Sequence, residues 1–223
     1  MKKIAGSLII IIFLLSNSVY SQEPLGKDPK AKKILDKISK VNKTYKTILI
    51  KFTYTLENAK EKTSEKFVGT AFLKGKKYKL TITGTEILSD GKTVWTYMKD
   101  AEEVTITEPN AEDESITNPT NLFSIYEKGF KYQYQSQEKK GNTVKDIIDL
   151  FPEKPKTKKF SRVRLTVDSK KNQICSIKTF GNDGNHYTIV VDEFKSGTDM
   201  PDDMFNFDVK KYPKGTEVID GRE

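Results

Sequence analysis

Residues 69–107 read GTAFLKGKKYKLTITGTEILSDGKTVWTYMKDAEEVTIT, a series of short apolar runs separated by polar turns. Apolar and polar residues alternate in most of these runs, and this period of two is typical of strands with one buried face. Asp90 and Gly91 lie between two of the runs. The Asp-Gly pair predicts a tight type I′ hairpin turn, because both residues tolerate a positive φ. The stretch therefore predicts the middle of an antiparallel sheet.

The same alternation recurs on both sides of this stretch. It predicts further strands around residues 48–56, 66–74, 130–134, 144–151, 163–167, 174–180 and 187–191, and a last strand that starts at Phe205 and Phe207. Two helices are predicted, one from Asp28-Pro29 to about Asn42 and one from Asn118-Pro119 to Gly129. Short links between strands favour antiparallel pairing. We predict a mainly β fold with some helix: a large curled antiparallel sheet, or incomplete barrel, of about eleven strands, covered by helices that enclose an apolar cavity.

The first 21 residues have the pattern of a secretion signal. Lys2 and Lys3 precede an apolar run of about a dozen residues, and Val19 and Ser21 suit cleavage near Ser21/Gln22. An uncleaved membrane anchor is the alternative, but no basic stop-transfer cluster follows the apolar run. The only cysteine is Cys175, so no lipid-attachment cysteine lies near the cleavage point. We therefore expect a signal peptide, residues 1–21, and a single exported domain, residues 22–223, located in the periplasm.

The charge of the chain is a mild basic excess. Thirty-nine basic and 31 acidic residues give a net charge of +8, and loss of Lys2 and Lys3 lowers it to +6. The lysines are scattered through turns and strands, which is typical of solvated surface and edge-strand protection. An affinity for anionic lipid or an acidic partner is the open alternative. No nucleic-acid partner is expected, because no basic-aromatic motif appears.

The sequence offers no catalytic or metal-binding constellation. His186 is the only histidine, and Cys175 has no second histidine or asparagine nearby in sequence. No Cys/His cluster has the spacing of metal ligands, and no nucleophile-elbow, Walker or Rossmann motif is present. We therefore predict that the protein is not an enzyme and binds neither a metal nor a cofactor. The aromatic residues on the strands suggest instead that an apolar cavity left beneath the helices binds an apolar ligand.

Several segments resemble the outer-membrane lipoprotein carrier family, the LolA-like proteins, in the form found in Bacteroidetes-type bacteria. The segments are GTAFLKGKKYKL, ILSDGKTVWTY, EVTIT, LFSIYEKGFKY, IDLFP and FNFDVKKYPKGTEV, and together they span most of the exported chain. The most specific of them is SDGKTVWTY. The resemblance implies an incomplete barrel of about eleven strands, closed by helices around a cavity for acyl chains.

The family's function implies a set of partners for this chain. Family members receive acylated lipoproteins from an inner-membrane ABC-transporter release complex, shield the lipid across the periplasm and deliver it to an outer-membrane acceptor. We expect the same role here, with the protein acting as a monomer. The alternative is a lipid- or lipoprotein-sensing interaction module with the same fold.

The alternating rows supply the candidate acyl-binding residues. They are Ile50, Phe52, Tyr54, Phe72, Tyr78, Leu80, Ile82, Trp95 and Tyr97 from the strands, with Leu122, Phe123 and Tyr126 from the covering helix. Many family members carry an Arg-Pro pair that is implicated in gating the lid. This chain departs from the family there, because the matching place reads Lys74-Gly75-Lys76. Lys74 or Lys76 is the possible gate, although a lysine lacks the bidentate fork of arginine; solvated turn lysines are the alternative.

Overall fold

The computed structural model describes residues 26–110, 119–120, 126–141 and 143–222. A single large sheet dominates these residues, with little helix. The predicted signal peptide lies outside the described residues. So do half of the predicted second helix and the candidate binding residues Leu122 and Phe123.

The helix α1 spans Pro29–Asn42, as its periodicity predicts. The side chain of Asp28 caps its first turn by accepting hydrogen bonds from the backbone N–H groups of Lys30, at 2.7 Å, and Ala31, at 3.1 Å. Ala31, Leu35 and Ile38 are buried on one side, while the lysines of the helix occupy the other. The helix is therefore amphipathic and packs through its apolar side.

Twelve strands form the sheet within the described part of the chain. In chain order they are β1 (Thr47–Asn58), β2 (Thr63–Lys74), β3 (Lys77–Ile82), β4 (Thr85–Ser89), β5 (Val94–Met98), β6 (Glu103–Thr107), β7 (Phe130–Lys140), β8 (Thr143–Pro152), β9 (Phe160–Asp168), β10 (Gln173–Gly181), β11 (Asn185–Ser196) and β12 (Glu217–Asp220). Their order across the sheet is β12-β6-β5-β4-β3-β2-β1-β11-β10-β9-β8-β7. The sheet is open, with β12 and β7 at its two edges.

Strand β1 joins two meanders. It pairs antiparallel with β2, its neighbour in sequence, and also with β11, from the far part of the chain. The pairing with β11 changes register between Lys51 and Phe52, which is a local bulge. Strands β1–β6 form one meander and β7–β11 the other, so β1 and β11 are the only pair of strands that joins the meanders among the described residues.

The register assigns every strand residue to one of two faces, because residues opposite each other on paired strands point the same way. One row across the first meander contains Ile50, Ala71, Leu80, Ile87, Thr96 and Thr105. The same face continues across the second meander through Tyr54, Ile189, Ile177, Leu165, Ile148 and Tyr134. We call this the helix face, because α1 packs on it.

The helix face carries two buried clusters. The first lies on β7–β10 and includes the apolar side of α1; its members include Leu35, Ile38, Tyr132, Ile148, Val163 and Leu165. The second lies on β1–β4 and β11, with Ile48, Ile50, Phe52, Leu73, Leu80 and Ile87 among its members. No residue of α1 belongs to the second cluster as the described residues define it. The helix therefore covers one half of this face.

Residues 197–216, which we call the C-terminal segment, lie against the other face of β2–β5. Trp95 stacks on Phe207, with ring centroids 6.4 Å apart, and Tyr97 meets Tyr212 edge to face at 4.8 Å. Phe205 is fully buried. The Nζ atoms of Lys74 and Lys77 bind the carboxylate of Asp202 at 2.8 and 2.9 Å. Aromatic stacking and ion pairs thus fasten this segment to the sheet.

Two local predictions were wrong. Asp90 and Gly91 do not form a two-residue type I′ turn; residues 90–93 form a four-residue loop between β4 and β5. Only Gly91 has a positive φ (90°), and the Asp90 carboxylate accepts hydrogen bonds from the backbone of Lys92 and Thr93, both at 2.8 Å. The Asp90 side chain therefore stabilises a longer loop. Likewise, Phe205 ends a 3₁₀ turn, Asp202–Phe205, instead of starting a strand.

The antiparallel prediction holds for every strand pair except one. The C-terminal strand β12 pairs parallel with β6, so that Val218 lies opposite Val104. A parallel neighbour needs a long connection. Here the connection from β11 is the C-terminal segment, which crosses the sheet before β12 begins. The described sheet has twelve strands where about eleven were predicted.

Gly69 provides a test of the packing on the helix face. A Cβ atom at Gly69 would lie 2.3 Å from Cζ of Phe52, whose ring covers this position from the neighbouring strand. We expect Gly69→Ala to lower the free energy of unfolding by about 1–3 kcal/mol, since the buried Phe52 must shift. Urea denaturation measures the effect.

The matched control for Gly69→Ala is Thr70→Ala, on the same strand but the opposite face, for which we expect a smaller change. We expect Gly69→Ala to cost less stability in a Phe52→Leu background than in the wild-type protein, because the smaller side chain makes room for the added methyl group. Equal stability of Gly69→Ala and the wild-type protein would contradict this packing.

Asp202 provides a pH test of the C-terminal segment. Hydrogen bonds from Lys74 and Lys77 lower the pKa of Asp202 to about 2, from an ordinary value near 4. The ion pairs are therefore intact above about pH 4 and are lost as the pH falls through about 2. We expect the fluorescence of Trp95, the only tryptophan, to change over that range as Phe207 loosens from it.

The control for the Asp202 test is Asp202→Asn, which should remove the part of the fluorescence transition that belongs to Asp202. Far-UV circular dichroism, recorded in parallel, separates loosening of the segment from global acid unfolding. Identical fluorescence profiles in the two proteins would contradict this role of Asp202.

Candidate functional site

The helix face holds most of the candidate acyl-binding residues that the structure describes. Ile50, Phe52, Tyr54, Tyr78, Leu80 and Ile82 all point to it, as the strand register requires. Four of them are buried, with exposed fractions of 2% for Ile50, 4% for Phe52, 6% for Tyr78 and 1% for Leu80. Tyr54 and Ile82 are half-buried and pack against the second cluster. These six residues therefore form one contiguous apolar surface.

Aromatic rings border this surface at both ends of β1. Tyr54 packs beside Phe67, with ring centroids 6.0 Å apart, and burial raises the pKa of its hydroxyl group. At the other end, Tyr45 packs against Phe194 at 5.6 Å. All four rings combine a wide apolar body with partial exposure, which suits contact with an apolar ligand at the edge of a buried cluster.

Tyr126 lies at the other half of the helix face. It is 5% exposed and packs in the first cluster with Leu35 and Ile38 of α1 and Tyr132 of β7. Burial raises the pKa of its hydroxyl group, so the group stays neutral at physiological pH. Tyr126 therefore shares a face with the six strand residues but belongs to the other cluster.

Phe72, Trp95 and Tyr97 point the other way. Phe72 pairs with Lys79, and Trp95 pairs with Leu88. These four residues belong to the row next to the one that contains Leu80, and neighbouring rows point to opposite faces of the sheet. Trp95 and Tyr97 contact the C-terminal segment, as described above. The structure thus does not bring these three residues together with the helix-face group.

Lys74, one of the two possible gate residues, is held by the C-terminal segment. Its Nζ donates to the carbonyl oxygen of Met200 at 2.7 Å and binds Asp202. Lys76 is exposed in the turn between β2 and β3. Lys74 therefore contacts a backbone carbonyl, but that carbonyl lies on the face opposite α1.

The opposite face of the second meander is polar. The buried carboxylate of Asp149 accepts hydrogen bonds from Arg164 at 2.7 and 2.9 Å and from Arg162 at 3.1 Å. Arg162 also lies over the ring of Phe180, 4.0 Å from its centroid. These charge-assisted hydrogen bonds satisfy the buried carboxylate and distinguish this face from the helix face, where the first buried cluster lies.

Sequence reasoning missed several members of the apolar surface. Ala71, Ile87, Val94, Ile189, Val191 and Phe194 belong to the second cluster or pack against it. The alternation of residues 187, 189 and 191 already indicates a strand. What the sequence lacks is the pairing of that strand with β1, which brings Ile189 beside Tyr54.

The described residues contain no group of three or more His, Cys, Asp and Glu residues that could hold a metal ion. His186 contacts the ring of Phe180 at 4.9 Å. Cys175 is half-buried, and burial raises the pKa of its thiol, which makes it a weak nucleophile. Of the described helices, none is long and apolar enough to cross a membrane.

Several solved structures are similar to this chain. An uncharacterised conserved protein from Thermus thermophilus is similar over 86% of this chain and 99% of its own, with a TM-score of 0.57 and 12% identity. A LolA superfamily protein from Nitrosomonas europaea matches over 79% and 97%, with a TM-score of 0.44 and 13% identity. The lipoprotein LppX from Mycobacterium tuberculosis matches over 78% and 100%, at 0.49 and 9%. A search of curated proteins finds no sequence match.

The family model described as "Outer membrane lipoprotein carrier protein LolA" matches residues 43–208. The match begins just after α1 and ends in the C-terminal segment, so it spans β1–β11 and the apolar surface on the helix face. It covers about three quarters of the chain. This chain belongs to the LolA family of outer membrane lipoprotein carrier proteins.

Proposed function

We propose that this protein is a periplasmic carrier that binds the acyl chains of lipoproteins released from the inner membrane and delivers them to the outer membrane. The observation that carries the proposal is the contiguous apolar surface on β1–β4 and β11, which includes no residue of α1. Membership of the LolA family, whose members are in general carrier or binding proteins, supports the same function.

The acyl chains would lie against the helix face of the first meander. Tyr54 and Ile82 are half-buried at the border of the second cluster, so a ligand can reach them without complete repacking of the core. Helices covering a cavity over this surface remain part of the proposal. In this arrangement, the ligand contacts Tyr54 and Ile82. The buried residues of the second cluster hold these two side chains in place.

Burial of alkyl groups provides enough free energy for such binding. Each methylene group that leaves water contributes about 0.8 kcal/mol, so a sixteen-carbon chain contributes on the order of 10 kcal/mol before ordering costs. No charged group is needed for this affinity. A protein with one apolar face and a polar exterior can therefore bind an acyl chain.

The partners follow from the carrier role. We propose acylated lipoproteins as cargo, an inner-membrane ABC-transporter release complex as donor and an outer-membrane acceptor as recipient. The basic, apolar and small-residue pattern of residues 1–21 supports export. The contacts of Lys74 with Met200 and Asp202 support a role in holding the C-terminal segment; gating by Lys74 or Lys76 stays a prediction.

Charge placed on the helix face tests the site. We expect Ile82→Glu to weaken binding of a fluorescent sixteen-carbon fatty acid analogue at least tenfold, because a carboxylate beside the acyl chain loses hydration. Thr81→Glu is the matched control: it adds the same charge one residue away, at an exposed position of the opposite face, and should leave the affinity unchanged. Fluorescence titration measures both.

Trp95→Ala is the second control for the helix face. It should lower the stability of the protein through loss of the contact with Phe207, and leave the affinity for the fatty acid analogue unchanged. Equal weakening by Ile82→Glu and Thr81→Glu, or loss of affinity in Trp95→Ala at full stability, would contradict the assignment of the helix face.

Isolation of the carrier with its cargo tests the function itself. Gentle purification from periplasm should recover acylated lipoproteins, identified by mass spectrometry, and the protein should accept a lipoprotein from inner-membrane vesicles and release it to outer-membrane vesicles. The Ile82→Glu variant is the control and should carry less cargo. Failure to accept any lipoprotein excludes the carrier role, whereas binding without release favours the sensing module.

A further inference from the structure

A second candidate site lies beside α1, away from the strand residues of the proposed acyl site. It is a cavity of about 500 Å³ between the helix, the turn before β7 and β7 itself. Leu35, Tyr126 and Tyr132 form its apolar floor, and these three residues also belong to the first buried cluster. The volume is within the range of small-ligand pockets.

The rim of this cavity carries a positive balance of charge. Lys27, Lys32, Lys40 and Lys43 line it, against two carboxylates, Asp36 and Glu127. Each carboxylate already has a lysine partner: Lys32 binds Asp36 at 2.5 Å, and Lys43 binds Glu127 at 2.9 Å.

Lys27 and Lys40 are the other cations of the rim. Lys27 reaches Glu153 at 3.5 Å, outside the cavity lining. Lys40 is exposed and forms no ion pair with any described residue. Two lysines of the cavity lining, Lys27 and Lys40, therefore form no ion pair with the two carboxylates of that lining.

One residue of the cavity lining, Tyr126, carries a buried hydrogen-bond donor. The hydroxyl group of Tyr126 lies beside Ser39, but it forms no hydrogen bond of normal geometry with the described residues. Ser39 instead donates to Glu127 at 2.6 Å. A buried hydroxyl group without a partner costs free energy, and a ligand acceptor at this place would remove that cost.

We propose that this cavity binds the phosphate head group of an anionic lipid, with the Tyr126 hydroxyl group donating to a phosphate oxygen and Lys40 supplying charge at the rim. An anion matches the spare positive charge, and an amphiphile matches the apolar floor. The inference rests on the proposed lipid-binding function and adds to it a preference for a charged head.

Short-chain lipids that stay monomeric in solution test the proposal. Isothermal titration of the full exported chain with dihexanoyl phosphatidylglycerol should give about tenfold tighter binding than dihexanoyl phosphatidylcholine, which has the same chains and no net charge. Inorganic phosphate should bind much more weakly than the anionic lipid, because it gains nothing from the apolar floor. Equal affinity for the two lipids, or for phosphate and phosphatidylglycerol, overturns the proposal.

Variants locate the binding. Tyr126→Phe should weaken phosphatidylglycerol binding about tenfold, through loss of one hydrogen bond to a charged group, and Lys40→Gln about two- to fivefold. Lys37→Gln removes the same charge from the same helix outside the cavity and should have no effect. Equal weakening by Lys40→Gln and Lys37→Gln overturns the site in favour of diffuse attraction.

The test separates this inference from the carrier function. If the protein binds the sixteen-carbon fatty acid analogue but shows no preference for the anionic head group, the inference fails and the carrier proposal stands. If the analogue does not bind to the wild-type protein, the carrier proposal itself fails.

Discussion

The pairing of β1 with β11 is the interaction on which the rest of the structure depends. It joins two meanders that would otherwise be separate hairpin stacks, and it aligns their apolar rows. Ile189 reaches Tyr54 across this junction, so the second cluster contains residues from both meanders. A one-residue slip would turn the side chains of one meander to the other face and break the apolar surface. The bulge at Lys51/Phe52 fixes that register.

Helical periodicity predicts α1, and strand alternation predicts most of the strands and the apolar row of β1 and β3, because each of these elements has apolar residues in a single phase. It does not decide the orientation of β5. Val94 and Met98 are apolar in one phase, and Trp95 and Tyr97 in the other. The choice depends on Phe207 and Tyr212, more than a hundred residues away, which cover one face. Tertiary contact, and not local pattern, therefore places Trp95 on the face opposite the helix face.

The C-terminal segment is the largest departure from the sequence-based expectation, and the reason is chemical. Phe205 and Phe207 have the spacing of a strand. Asp202, however, is bound by two lysines, and residues Asp202–Phe205 form a 3₁₀ turn. The aromatic side chains of this segment therefore pack on the face of the sheet, and Phe205 and Phe207 do not form one of its strands. The two faces of the first meander consequently differ: the C-terminal segment covers one, and the other carries the surface proposed for ligand binding.

The parallel pairing of β12 with β6 also bears on how the protein folds. Both this contact and the one between β1 and β11 join residues more than a hundred positions apart in sequence. Contacts of such separation carry a large loop-closure entropy and form slowly. The first of these junctions cannot form before residues 217–220 are available, and the second cannot form before residues 185–196 are available. A chain that emerges from its N-terminus therefore keeps its sheet incomplete until β11 and β12 have emerged.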